Sequence, residues 1–287
     1  MERQYFSTLI TPQTLACHLD DPNWLIFDVR ADLSEPDWGQ SVYRASHIPG
    51  AIWLSLDRDL SAQSTGVNGR HPLPLPESFS QRMAQLGLSP ERQVVVYDQA
   101  QGAFAARLWW MLRWIGFSVC AVLDGGFARW QKEKLPTEKI IHTSRAGKFV
   151  ANPHNEMYVD ADEVLGKLET STMTLIDARS ASRFRGENET IDPVGGHIPG
   201  ARNRPYTDNL MPDDTFKSAK ELRKEFETLL DGASLATVVH QCGSGVTACH
   251  NALAMAVAGM PAMRLYAGSW SEWCTNPKRP VAQSQSA

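Results

Sequence analysis

The 287-residue sequence lacks three features that would each assign it to a class of protein. It has no run of about 18 uncharged apolar residues, and its N-terminal stretch lacks the apolar segment of a signal peptide, so no membrane association is expected. Its formal charge of -4 shows no basic excess, so nucleic acid is not an expected partner. Its five cysteines are odd in number and scattered, so no disulfide framework is expected and a reducing, cytoplasmic location is predicted.

The sequence does contain an internal repeat. Four motifs occur in the same order in both halves: LIFDVR (25–30) and LIDAR (175–179), HIPGA (47–51 and 197–201), VVVYD (94–98) and VVHQC (238–242), DGGFARW (124–130) and AGSWSEW (267–273). Self-similarity of this kind indicates two copies of one domain. The predicted domains are residues 1–140 and 156–287, joined by the polar connector 136–155.

Within each half, short apolar runs alternate with helical patterns. The expected strands are 24–29, 94–97, 119–123, 174–178, 237–240 and 262–266. The expected helices are 103–115 and 246–258. Helix starts are indicated by Thr11 before Pro12 and by Asp160 with Glu163. The predicted fold class is α/β, with two tandem domains that each contain a mostly parallel sheet flanked by helices on both faces.

Cys242 lies between a β-branched run and the predicted helix at 246–258. Gly243 and Gly245 allow the backbone to curl, so that N–H groups at the positive end of the helix point at the sulfur. Such dipoles favour the thiolate, which is the nucleophilic form of cysteine. A single cysteine near a strand end is more often a small buried apolar residue. Here the two glycines, with the polar Ser244 and Thr247, favour a nucleophile whose sulfur must be reachable from solvent.

The first copy has Asp98 at the position of Cys242. A carboxylate there would repel an anion, so the first domain is predicted to be non-catalytic and the second catalytic.

The duplicated D-[VA]-R and H-I-P-G-A motifs, C-G-S-G-V-T-A at 242–248 and G-S-W-S-E-W at 268–273 resemble the tandem-domain rhodanese family of sulfurtransferases. The resemblance covers nearly the full length and implies two rhodanese-like domains. It implies that a small anionic sulfur donor leaves a persulfide on Cys242. The acceptor would be a thiol, a thioredoxin-like protein or cyanide, and no metal or organic cofactor is expected.

The same resemblance implies roles for individual residues. The catalytic residues would be Cys242, Ser244, His71 and Asp57, the last two assisting Ser244 in a proton relay. The donor-binding residues would be two arginines and the rest of the loop: Arg183, Arg185, Gly243, Gly245, Val246, Thr247 and Ala248.

Among these arginines, Arg183 looks like the substrate-binding arginine of the family. Arg185 is the candidate substitute for a second arginine, which the segment 189–194 lacks. Arg179 is expected to form a structural ion pair, and Arg30 is expected to form the equivalent pair in the first copy.

The residues after Cys242 also bear on the donor. G-S-G-V-T-A resembles the mercaptopyruvate-preferring members, whereas thiosulfate-preferring members have basic residues there, so 3-mercaptopyruvate is favoured over the doubly charged thiosulfate. A thiosulfate-preferring enzyme and a non-enzymatic persulfide carrier or scaffold remain alternatives. A phosphatase with a Cys-x5-Arg loop is disfavoured because residue 248 is alanine. A zinc site is disfavoured because His240, Cys242, Cys249 and His250 match no standard spacing.

Overall fold

A computed structural model describes residues 5–168, 170, 172–187 and 189–283. The chain divides into two compact units. The first comprises the described chain up to Ala62 together with Pro74–His154 and Pro212–Thr215. The second comprises Gln63–Leu73, Asn155–Met211 and the described chain from Phe216. The segment Gln63–Leu73, which contains His71, is therefore part of the second unit although it belongs to the first half of the sequence.

The first unit is built on one parallel sheet. Its strands are β1 (Leu9–Ile10), β2 (Trp24–Asp28), β3 (Ile52–Trp53), β4 (Gln93–Tyr97) and β5 (Cys120–Leu123), in the order β1-β5-β4-β2-β3. Its helices are α1 (Pro12–Ala16), α2 (Trp38–Ala45), α3 (Pro76–Gln85), α4 (Ala103–Trp114) and α5 (Gly126–Lys132). Every residue of the central strand β4 is buried, as expected for a parallel strand covered on both faces.

The second unit repeats this plan. Its strands are β6 (Tyr158–Val159), β7 (Thr174–Asp177), β8 (Arg202–Asn203), β9 (Val238–Gln241) and β10 (Arg264–Tyr266), in the order β6-β10-β9-β7-β8, again all parallel. Its helices are α6 (Ala161–Leu168), α7 (Ala181–Arg185), α8 (Ala219–Leu230), α9 (Ala248–Val257) and α10 (Ser269–Trp273). The predicted α/β class and the duplicated sheet are confirmed, and each predicted strand ends within two residues of an observed one.

The predicted helix starts are present in both units. Thr11 caps α1 by accepting a hydrogen bond from the N–H of Thr14 at 3.2 Å. Asp160 caps α6 by accepting from the N–H of Glu163 at 2.8 Å. The carboxylate of Glu163 accepts a hydrogen bond from Lys167 at 2.6 Å. The helix α6 is therefore stabilised by an N-terminal cap and by an ion pair one turn further along.

The connector after α5 runs along the first unit. Its backbone N–H groups donate to carbonyl groups of that unit, from Gly147 to Ala84 at 2.7 Å and from His154 to Trp114 at 2.8 Å. These bonds satisfy backbone groups that would otherwise need water.

Both units contain the same buried ion pair, at the end of β2 in the first unit and at the end of β7 in the second. Arg30 donates to Asp28 with Nη2···Oδ2 at 2.6 Å, and Arg179 donates to Asp177 at 2.7 Å. Each arginine also donates to a loop carbonyl, that of Ser46 or Gly196, at 2.7 Å. The predicted structural role of Arg179 is confirmed, because its guanidinium is tied to the sheet.

No helix in the described ranges is long and apolar enough to cross a membrane. The tryptophans at helical spacing belong to the core, as do those near the end of the chain: Trp109, Trp110, Trp114, Trp270 and Trp273.

Candidate active site

Cys242 lies directly after β9, in the loop that leads into α9. β9 is the third of five strands, and the carboxyl ends of parallel strands are where open α/β sheets form binding sites. Gly245 has a φ of +76°, and a Cβ at this position would lie 2.3 Å from the carbonyl oxygen of Ala267. Glycine is therefore required here both by backbone conformation and by a close approach. The predicted sequence of strand, tight turn and helix is confirmed.

The Cys242 sulfur accepts a hydrogen bond from the loop. The N–H of Gly245 donates to Sγ at 3.1 Å. The N–H groups of Val246 and Thr247 make no hydrogen bond with any described residue, so they can serve a bound anion. The loop thus supplies one donor to the sulfur, and the orientation of its other N–H groups towards the sulfur stays a prediction.

The accessibility of Cys242 differs from the prediction. The residue is 1% exposed, and the neighbouring Ser244 and Val246 are buried as well. The prediction of a sulfur reachable from solvent is wrong for the conformation observed.

The loop between β10 and α10 holds Cys242 in position. The Oγ of Ser269 accepts a hydrogen bond from the N–H of Cys242 at 3.1 Å, and the N–H of Trp270 donates to the Cys242 carbonyl at 3.0 Å. The N–H of Ser271 donates to the carbonyl of Gly243 at 2.9 Å. The sequence analysis did not foresee this support. The two serines of G-S-W-S-E-W are the signal that could have indicated it.

His71 and Ser244 are brought together as the resemblance implies. His71 Nδ1 lies 2.8 Å from Ser244 Oγ, and both residues are buried. A buried imidazole beside a hydroxyl can hold or exchange its proton. Asp57 is an exposed residue of the first unit, and its part in a relay stays a prediction.

Arg183 is held by two carboxylates. Its Nε and Nη2 donate to Glu189 at 3.0 and 2.9 Å, and Nη2 also donates to Asp192 at 2.9 Å. Burial raises the pKa of Glu189, but the hydrogen bonds from Arg183 and from two backbone N–H groups outweigh it, so this pKa lies below its usual value. The segment 189–194 contains no arginine and supplies two acidic partners to Arg183 of α7.

A second arginine, which sequence reasoning missed, lies beside Arg183. Arg70 donates through Nη1 to the other oxygen of Asp192. A Cβ placed on Gly243 would lie 2.9 Å from Arg70 Nη2 and 3.5 Å from Arg183 Nη1. Two guanidinium groups therefore face the first residue after Cys242. The signal in the sequence was only that Arg70 precedes His71.

Arg185 has a different environment. Its guanidinium forms a bidentate pair with Glu187, at 3.0 and 2.8 Å, and this pair raises the pKa of Arg185. No described contact joins Arg185 to Cys242 or its loop. Its role as the second donor-binding arginine stays a prediction, and the structure offers Arg70 in that position.

The equivalent loop of the first unit contains its own anion. One oxygen of Asp98 accepts from the N–H groups of Ala100 and Gly102, and the other accepts from those of Phe104 and Ala105, at 2.9 to 3.2 Å. Burial raises the pKa of Asp98 in spite of these four donors, which lower it. The first copy therefore keeps the donor-lined loop but fills it with a fixed carboxylate, which agrees with a non-catalytic role.

The histidines near Cys242 have other partners. His240 Nε2 lies 3.1 Å from the carbonyl of Ala262, and burial lowers the pKa of His240 to about 4. His250 Nδ1 lies 3.1 Å from the side-chain nitrogen of Asn209. Within the part of the chain that the structure describes, no group of three or more His, Cys, Asp or Glu side chains is arranged to hold a metal ion.

Comparison with known sequences assigns both repeats to one family. The family described as Rhodanese-like domain matches residues 11–133 and 160–276. A protein of Pseudomonas aeruginosa named "Probable 3-mercaptopyruvate sulfurtransferase" is 47% identical over 276 residues, which is 96% of this chain and 97% of the relative. The 3-mercaptopyruvate sulfurtransferase of Escherichia coli K12 is 36% identical over 274 residues, covering 93% of this chain and 95% of the relative.

Solved structures give the same result. The 3-mercaptopyruvate sulfurtransferase from Leishmania major superposes with a TM-score of 0.84 at 32% identity, over 96% of this chain and 76% of that chain. The crystal structure of SseA from Escherichia coli superposes with a TM-score of 0.79 at 35% identity, over 92% of this chain and 99% of that chain. The likeness extends over both units and is not confined to a shared motif.

Proposed function

The chain belongs to the rhodanese family of sulfurtransferases, and from this premise we propose that it moves sulfur from 3-mercaptopyruvate to an acceptor through a persulfide on Cys242. The observation that carries the proposal is the loop after β9, where the N–H of Gly245 donates to the Cys242 sulfur at 3.1 Å. Such a donor stabilises the thiolate, and further N–H groups of the same loop can stabilise a second, terminal sulfur.

In the first half-reaction the Cys242 thiolate attacks the thiol sulfur of 3-mercaptopyruvate. A sulfur–sulfur bond forms, the carbon–sulfur bond breaks, and its electron pair remains on carbon as the enolate of pyruvate. The enolate takes up one proton and leaves as pyruvate, while the donor thiol proton is lost from the persulfide. Protons and charge balance without an external oxidant.

In the second half-reaction an acceptor attacks the outer sulfur. A thiol or cyanide forms a bond to that sulfur, the sulfur–sulfur bond breaks, and Cys242 recovers its thiolate. The acceptors proposed are cyanide, a small thiol or a thioredoxin-like protein. Two successive half-reactions on one nucleophile predict ping-pong kinetics.

Ser244 and His71 are proposed to supply the proton that the enolate needs. Their side chains are 2.8 Å apart and buried, so a proton leaving the Ser244 hydroxyl can be replaced from the imidazole. Asp57 is proposed to assist this pair, as the family resemblance implies. Gly243, Val246, Thr247 and Ala248 contribute backbone donors to the same loop.

The choice of 3-mercaptopyruvate over thiosulfate follows from charge. The loop 243–248 contains no cationic side chain, and the nearest guanidinium groups are already paired with Glu189 and Asp192. A site with little uncompensated positive charge suits a donor with one carboxylate better than a dianion. The names of the relatives support the same donor.

A reducing, cytoplasmic setting is proposed for this chemistry. No disulfide joins any of the five cysteines, all of which lie within the described ranges. A thiolate nucleophile must remain reduced between turnovers, and such a compartment provides this condition.

The proposal is tested by initial rates with 3-mercaptopyruvate and with thiosulfate, using cyanide as acceptor. We expect a preference of at least about tenfold in kcat/KM for 3-mercaptopyruvate, and the opposite preference would assign the protein to the thiosulfate-preferring class. Donor without acceptor should add the mass of one sulfur atom to the intact protein. Stoichiometric persulfide without turnover would indicate a carrier instead of an enzyme.

Two cysteine variants identify the nucleophile. Cys242→Ser should abolish both turnover and the added sulfur, because an alcohol at this position cannot form a persulfide. Cys249→Ser is the matched control: Cys249 Sγ donates to the carbonyl of Gly245 at 3.4 Å, a bond that a hydroxyl can replace. The assignment fails if Cys242→Ser retains activity or if the two variants behave alike.

A further inference from the structure

Arg70 is fixed beside the Cys242 loop by its own backbone. Its N–H donates to the Oγ of Ser271 at 3.0 Å, and Ser271 in turn donates its N–H to Gly243. The preceding Gly69 has a φ of +87°, and a Cβ there would lie 2.8 Å from the carbonyl oxygen of Gly268. This glycine allows the segment Gln63–Leu73 to lie against the loop that supports Cys242, which places the Arg70 side chain at the site.

Arg70 and Arg183 each have one terminal guanidinium nitrogen that makes no hydrogen bond within the described structure. Arg183 donates through Nε and Nη2 to Glu189 and Asp192, and Arg70 donates through Nη1 to Asp192. Within the described structure, Arg70 Nη2 and Arg183 Nη1 make no hydrogen bond. These are the two nitrogen atoms that lie within 3.5 Å of a Cβ position on Gly243. The donors that remain therefore converge on Gly243, the first residue after Cys242.

The carboxylate of Asp192 holds this arrangement together. Its two oxygens accept from the two different guanidinium groups, and its side chain is 2% exposed. The formal charges of Arg70, Arg183, Glu189 and Asp192 cancel. The four side chains thus present directed N–H groups with no net charge.

We propose that Arg70 and Arg183 form a clamp for the carboxylate of the sulfur donor, with Asp192 as the positioning residue that spaces the two arginines. This inference rests on the proposed function, and it assigns the second donor-binding arginine to Arg70 in place of Arg185. A planar carboxylate accepts one N–H from each guanidinium, while the donor sulfur points towards Cys242. The ligand class is a small carboxylate with one negative charge.

The absence of a side chain at Gly243 is a consequence of the same geometry. Any Cβ there would lie 2.9 Å from Arg70 Nη2, inside the space that the donor carboxylate needs. The glycine directly after Cys242 therefore keeps the clamp open, in addition to allowing the backbone to turn.

The neutral charge of the cluster also determines donor selectivity. A dianion such as thiosulfate brings two negative charges to a site whose own charges cancel, whereas a carboxylate brings one. Removing the Asp192 charge should favour the dianion over the carboxylate, because it leaves the cluster with one positive charge. Any displacement of the arginines in such a variant affects both donors, so the ratio of their kcat/KM values isolates the charge.

The clamp is tested with Arg70→Ala, Arg185→Ala and a control, Arg223→Ala, which removes an exposed arginine paired with Glu227 on α8. With 3-mercaptopyruvate as donor, Arg70→Ala should raise KM about 10- to 100-fold and change kcat by less than about threefold, the size of effect expected for one charge-assisted hydrogen bond. Arg223→Ala should keep the wild-type values. A wild-type KM in Arg70→Ala, or a rise only in Arg185→Ala, overturns the clamp.

Asp192→Asn provides the second measurement. The ratio of kcat/KM for thiosulfate to that for 3-mercaptopyruvate should rise about tenfold, and an unchanged ratio contradicts the role given to charge. Circular dichroism and thermal melting show whether each variant is folded. Wild-type protein without sulfurtransferase activity on either donor would refute the proposed function itself, whereas active wild type with an unaffected Arg70→Ala variant refutes only the clamp.

Discussion

Replacing Gly245 by alanine tests whether the loop N–H that faces Cys242 contributes to sulfur transfer. Gly245 has a φ of +76°, and its Cβ would lie 2.3 Å from the carbonyl oxygen of Ala267. That oxygen belongs to the backbone, so the contact can be relieved only if the two loops move apart until it exceeds 3.0 Å. The N–H of Gly245 moves with its loop and leaves its position 3.1 Å from the sulfur.

The expected loss has two parts. A left-handed φ costs a residue with a Cβ about 1 to 2 kcal/mol of folding free energy. Loss of a hydrogen bond to a charged sulfur costs about 1.5 to 3 kcal/mol, which corresponds to a fall in kcat/KM of about 10- to 100-fold. The unfavourable φ and the steric contact with Ala267 lower stability, whereas the lost hydrogen bond lowers the rate of the reaction.

Gly232→Ala is the matched control, because Gly232 has a φ of +80° and no atom within 4 Å of its Cβ position. Chemical denaturation should show a loss of about 1 to 2 kcal/mol for Gly232→Ala and a larger loss for Gly245→Ala. Initial rates should be normal in Gly232→Ala and reduced in Gly245→Ala. If folded Gly245→Ala turned over the donor at the control rate, the N–H of residue 245 would have no part in the reaction.

Three further predictions concern other parts of the second unit. Arg183→Ala should raise KM for anionic donors more than it lowers kcat, and an unchanged KM would remove Arg183 from the site. Burial lowers the pKa of His240 to about 4, so as the pH falls the imidazole is protonated in the unfolded chain before it is protonated in the folded one. The free energy of unfolding should therefore be highest above pH 6.5 and should decline by about 3 kcal/mol towards pH 4. Denaturation of His240→Gln should show a weaker pH dependence across that interval, and an identical dependence would contradict this account. Ser218 caps α8 in a reciprocal box with Glu221, so Ser218→Ala should lower the free energy of unfolding by about 1 kcal/mol in denaturant titration without altering turnover.

The features that could be predicted from the sequence are those written in local patterns. Runs of β-branched residues predicted β4 and β9. The repeated Asp-x-Arg motif predicted the buried ion pairs, and the glycines around Cys242 predicted the turn. Each of these depends on residues a few positions apart, where backbone conformation and side-chain size are nearly sufficient to determine the outcome.

The features that were missed depend on contacts between distant segments. Arg70 lies 122 positions from Asp192 in the chain, and nothing in the sequence around either residue indicates that they meet. The pairing of Arg185 with Glu187 could not be read from the sequence either, and the donor-binding role of Arg185 stays a prediction. The burial of Cys242 likewise results from the packing of a whole loop, which the identity of its residues does not reveal.

The two copies of the Cys242-type loop differ in whether their donors are already satisfied. In the first copy Asp98 accepts from four N–H groups, so that loop carries a permanent internal counter-ion and is complete without any solute. In the second copy the N–H groups of Val246 and Thr247 make no hydrogen bond with any residue that the structure describes. We therefore expect the loop of the first copy to have the same stability with and without anions in solution, and the loop of the second copy to be stabilised when an anion binds.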